Sequence, residues 1–63
     1  MTGTHAELSS LATALEDITT RVTAIADDHV GTDREDLAVE LYEIERLLAQ
    51  AQRRLSRMVR VRR

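Results

Sequence analysis

The side chains here that could do chemistry are two histidines, three serines, eleven carboxylates and nine arginines. Asp27, Asp28, His29 and Asp33 could gather around a cation, but their spacing matches neither a calcium-binding loop nor an HExxH site. At the C-terminal end of a helix, the plainer role for His29 is a favourable contact with the helix dipole. Ser9, Ser10 and Ser56 read as lacking a histidine placed to activate them. There is no glycine-rich phosphate loop. There is no Cys, hence no thiol nucleophile, disulfide or thiolate metal site. The expectation is a chain that is not an enzyme and holds neither metal nor cofactor.

The arginines point elsewhere. Seven of them (Arg46, Arg53, Arg54, Arg57, Arg60, Arg62 and Arg63) fall in residues 46–63, which hold no acid and carry +7. Residues 1–45 hold all 11 acids against Arg21 and Arg34, a net −9. The formal total of −2 conceals this division. A guanidinium is a planar fork of donors that matches carboxylates and phosphates, so the C-terminal segment reads as an anion-binding surface. Met58, Val59 and Val61 lie among the arginines and give it an apolar strip suited to docking a partner. A protein partner ranks first. Nucleic acid is the alternative, through salt-dependent phosphate contacts, although a lone aromatic residue, Tyr42, makes no stacking platform. A membrane surface ranks last, because the apolar strip is short and neither Trp nor Lys is present.

The elements that must position these residues are helices. Leu8, Leu11, Leu15, Ile18, Val22 and Ile25 follow one another at alternating steps of three and four. They fill every a and d position of a heptad repeat. Leu37, Leu41, Ile44, Leu48, Ala51, Leu55 and Met58 do the same in a second segment. Gly31 stands where a left-handed residue ends the first helix. Thr4-His5-Ala6-Glu7 and Thr32-Asp33-Arg34-Glu35 read as capping boxes that open the two helices. The sequence thus predicts an all-α fold in one domain, residues 1–63: a coiled-coil-like antiparallel hairpin. Its helix 1 spans about residues 5–29, its turn 30–32 and its helix 2 about 33–61.

Folding back at Gly31 sets Ile25 against Leu37, Val22 against Leu41 and Ile18 against Ile44. Leu15 then meets Leu48, Leu11 meets Ala51 and Leu8 meets Leu55, so every layer is apolar on both sides. The g positions set Arg21 opposite Glu40 and Glu7 opposite Arg54, exposed pairs worth about 0.2–1 kcal/mol each that serve register. Helix 2 is expected to overhang helix 1.

A two-helix hairpin has one seam, and a chain this short without disulfides ordinarily needs a further support. Ala12, Ala26, Ala38, Tyr42 and Ala49 lie along the e side, where small residues would let another pair of helices approach. A homodimer forming a four-helix bundle is the expectation, with these residues at its seam. No apolar run approaches a membrane span. The start, MTGTHAEL, lacks the basic and apolar regions of a signal peptide. A cytoplasmic location is expected, and the exclusive use of Arg fits a GC-rich bacterial genome. The function expected is that of a small interaction or regulatory module that self-associates and binds an anionic or apolar macromolecule through its Arg-rich end.

Overall fold

The computed structural model describes residues 2–60, which form two helices, α1 (Thr2–His29) and α2 (Glu35–Arg60), joined by a short turn. The helices pack side by side in a rod of 50 × 14 × 10 Å. No strand occurs among the described residues. No helix is long and apolar enough to cross a membrane.

The turn follows from its residue types. Gly31 has φ = 80°, a left-handed conformation in which a Cβ crowds the following carbonyl. The Thr32 hydroxyl donates to the His29 carbonyl at 2.7 Å and accepts from the Arg34 amide at 3.1 Å. One side chain therefore serves the last carbonyl of α1, which also accepts from the Thr32 amide at 3.3 Å, and a free amide ahead of α2. Thr32 is the cap that the sequence indicates, but it serves Arg34 rather than Glu35, and α2 opens at Glu35 instead of residue 33. Glu35 and Asp36 place negative charge on the first turn of α2, the sign the helix dipole favours. A hydrogen bond from the Arg34 guanidinium at 3.2 Å holds the Asp36 carboxyl below its usual range.

At the other end α1 begins at Thr2, so Thr4 lies inside the helix and does not cap it. Among the described residues α2 does not overhang α1, because α1 supplies another turn of helix alongside the last described turn of α2.

The hairpin closes on a face rotated from the expected one. Ala26 and Ala38 have no accessible surface, and Thr19 is 9% exposed. Ala12 and Gln52 line one depression between the helices, and Thr19 and Glu45 line the next. The same step brings Ala26 level with Ala38. All of these are e positions. The a-row leucines Leu8, Leu15, Leu41, Leu48 and Leu55, with Val22, are half-buried. By contrast, Leu11, Ile18, Ile25, Ile44 and Met58 of the d row stay 41% to 58% exposed.

The seam therefore runs through the a and e rows rather than a and d. Side-chain size explains the rotation: Ala and Thr at e let two backbones approach, whereas Leu and Ile at d would hold them apart. The layers Val22–Leu41, Leu15–Leu48 and Leu8–Leu55 stay in the seam, and the d-row layers move to its edge. Thr19 and Thr23 satisfy their hydroxyls by donating to the Leu15 and Thr19 carbonyls at 2.8 and 3.1 Å. Among the described residues no buried side-chain polar atom lacks a partner.

Candidate interaction site

The acidic turn gathers no metal cage. Among the described residues, no group of three His, Cys, Asp or Glu side chains is placed to hold a metal ion. His29 Nδ1 lies 2.8 Å from the Ile25 carbonyl. A carbonyl can only accept, so the proton sits on Nδ1 and caps the end of α1. Asp27 turns across the hairpin, where its carboxylate accepts from the Tyr42 hydroxyl. Ser9, Ser56 and Glu16 line an open depression of about 300 Å³ to which no histidine contributes. His5 stands one helical turn from Ser9, but both are exposed and no hydrogen bond joins them.

The Tyr42–Asp27 bond was not legible in the sequence, which marks Tyr42 only as a lone aromatic on a flank. Its rotated seam brings the b row of α2 toward the f row of α1. The hydrogen bond to Asp27, more than any desolvation, raises the Tyr42 pKa above its ordinary value near 10. Ionisation thus favours the unfolded chain. The contribution of this group to stability is whole below about pH 10 and is lost as pH rises through the elevated value. With one Tyr and no Trp, phenolate absorbance reads this residue alone. Its midpoint is expected above 10 in the native protein and lower in Asp27→Ala, which offers the hydroxyl no acceptor. Identical midpoints in the two proteins would remove the bond.

The row of small residues is occupied within the chain. Ala26 and Ala38 are fully covered, and Ala12 and Ala49 are half-buried. Four of the five residues assigned by sequence to a seam between copies thus take part in closing the hairpin itself. Tyr42, 37% exposed, is the member that keeps an outer surface.

The basic end is as open as the sequence suggests. Arg46, Arg53, Arg54, Arg57 and Arg60 are exposed. Arg46 pairs with Glu43 one turn back at 2.5 Å. Arg53, Arg54, Arg57 and Arg60 make no ion pair among the described residues, whose remaining pairs are Arg21–Asp17 at 3.7 Å and Arg34–Asp36 at 3.2 Å. Met58 is exposed, whereas Val59 turns partly into the seam. Val61, Arg62 and Arg63 lie outside the described residues. The expected pairs Arg21–Glu40 and Glu7–Arg54 do not form. The rotation that brings the e rows together carries the g rows away from each other.

A second surface results from the same rotation. In an antiparallel hairpin the d rows of the two helices open to the same side. Leu11, Ile18 and Ile25 of α1 therefore share one face with Ile44 and Met58 of α2, and the g residue Leu47, 51% exposed, extends it. The opposite face carries Glu16, Thr23, Asp27, Glu45 and Ser56. The rod thus carries its row of exposed aliphatic side chains on one long side and these polar groups, with the exposed Val39 and Tyr42, on the other; it is acidic at the turn and basic at the open end.

No family model, curated protein or solved structure matches the chain.

Proposed function

We propose that this chain is a small interaction module rather than an enzyme: it self-associates along its apolar side into a four-helix bundle and binds an anionic macromolecule through its basic end. The observation that carries the binding role is the group Arg53, Arg54, Arg57 and Arg60. These are four exposed guanidinia with no carboxylate partner among the described residues. Complementing a helix dipole needs fewer charges than these. An acidic protein surface is the partner of choice, since the site offers bidentate donors and an exposed Met58 but no aromatic platform for bases.

The test compares the native protein with Arg53→Gln/Arg57→Gln/Arg60→Gln, which leaves the margin residue Arg54 in place, using fluorescence anisotropy of a labelled polyglutamate probe and of a labelled RNA duplex. Polyglutamate binding is expected to weaken at least about tenfold in the variant, the effect of losing 1.4 kcal/mol. Four phosphate contacts would instead make duplex binding fall roughly 100-fold between about 50 and 200 mM salt. Tight, steeply salt-dependent duplex binding would assign the end to nucleic acid. Equal binding by the native and substituted proteins would end the anion-binding reading altogether.

A further inference from the structure

The orientation in which two copies meet can be read from the side of the rod that the hairpin leaves open. This inference rests on the self-association stated above and deepens it by naming the face and the arrangement. Six large apolar side chains, each 41% to 58% exposed, lie on that side. They present on the order of 500 Å² of apolar surface, near the upper end of what a monomer leaves uncovered. With polar margins such a face approaches the ~800 Å² per partner of a stable interface.

The margins are the g rows, whose charges are left without cross-hairpin partners. Arg21 and Glu40 stand at nearly the same level along the rod, as do Glu7 and Arg54, and all four are exposed. We infer that a second copy covers this face with its turn at the same end, so that α1 of each copy lies against α2 of the other. In that arrangement the layers that the hairpin leaves at its edge are completed between chains. Ile25 meets Leu37, Ile18 meets Ile44 and Leu11 meets Ala51. Arg21 meets Glu40 and Glu7 meets Arg54, twice each by symmetry. Each helix then faces its own partner through e, the second copy through d and g, and the bundle centre through a.

The competing arrangement puts the turns at opposite ends. It would relax the separation of −9 from +7 along the rod, but it sets Glu7 of one copy level with Asp28 of the other, twice. Its compensation is Asp33 level with Arg54. The same-end arrangement has one unfavourable match, Asp28 level with Asp33, beside Arg34 at the solvated turn. The other turn acids, Asp27, Glu35 and Asp36, occupy f, b and c positions away from the face. At physiological salt, charges beyond about 8 Å are largely screened, so the contacts at the margin decide. The same-end arrangement also brings both arginine clusters to one end of the bundle, giving an anionic partner two adjacent sites.

The chain has no Cys, so single substitutions report proximity between copies. Ile25→Cys mixed with Leu37→Cys is expected to give disulfide-linked dimers on mild oxidation, and neither protein alone should do so. Linkage of Ile18→Cys with itself, without linkage in the mixture, would mean opposite-end turns; the orientation would fall and self-association would stand. Sedimentation of the native protein as a 7.1 kDa monomer at micromolar concentration would remove both. A second measurement avoids apolar substitutions. Arg21→Glu is expected to weaken the dimer about tenfold, since two attractive pairs become repulsive, and Arg21→Glu/Glu40→Arg to restore it. Failure of the second change to restore the dimer would overturn the orientation.

Discussion

Ala26→Leu and Ala38→Leu are each expected to lower stability by about 1–3 kcal/mol, the cost of forcing extra methylenes into a site with no room for them. Leu is nearly as good a helix former as Ala, so the loss measures packing between helices rather than the helices themselves. Both alanines have no accessible surface and stand level with each other in the seam between the helices. A Leu at either position must push the helices apart or leave its rotamer well, and the separation would open the adjoining Thr19 and Leu41 layers. In a domain of this size each kcal/mol shifts the thermal midpoint by about 4–8 °C, so each variant should melt some 5–20 °C lower. The double variant should lose less than twice as much, because the two substitutions share one layer. Ala24→Leu, on an exposed position of the same helix, should stay within about 0.5 kcal/mol of the native protein. Equal melting of all three single variants would show that the seam does not run through the e row.

That seam is where the sequence was hardest to read. Helix number, the turn at Gly31 and the end of α1 at His29 were legible because each is written locally, in a heptad run, a glycine and a cap. The polarity of the rod was equally legible, being a count of charges along the chain. The choice between e and g as the third row was not. Both leave every layer apolar, and the apparent ion pairs Arg21–Glu40 and Glu7–Arg54 favoured the wrong side. The signal that could have settled it is residue size. The e row of α1 holds only Ala12, Thr19 and Ala26, and Ala38 faces it from α2 ahead of the longer Glu45 and Gln52, whereas the g rows include Glu7, Arg21, Glu40, Leu47 and Arg54. Two helices with no third neighbour gain most by approaching where side chains are smallest. The start of α1 was misplaced for a related reason: a Thr-x-x-Glu pattern suits a helix N-terminus, but nothing between Thr2 and Thr4 stops the helix from beginning earlier.

Leu48→Ala and Ile44→Ala should separate the core of one hairpin from the face between copies. Leu48 lies in the a row, half-buried against Leu15 of its own chain, while Ile44 lies in the d row, 41% exposed. A fully buried Leu→Ala change costs about 2–5 kcal/mol, and a half-buried one roughly 1–2. Leu48→Ala should therefore lower the thermal midpoint by about 5–15 °C at every protein concentration. Ile44→Ala removes a side chain that one hairpin only partly covers and improves helix propensity by a few tenths of a kcal/mol. In a dilute, monomeric sample it should be close to neutral. In the proposed dimer the same residue would be buried against Ile18 of the second copy, and its loss should cost as much as that of Leu48. Association also makes the native midpoint rise with concentration, by mass action, and Ile44→Ala should flatten that rise more than Leu48→Ala, whose side chain faces the bundle centre but is already half-covered by its own hairpin. A concentration dependence in Ile44→Ala as steep as in the native protein would place Ile44 outside the contact between copies, because a residue at that contact changes the slope as well as the height of the curve.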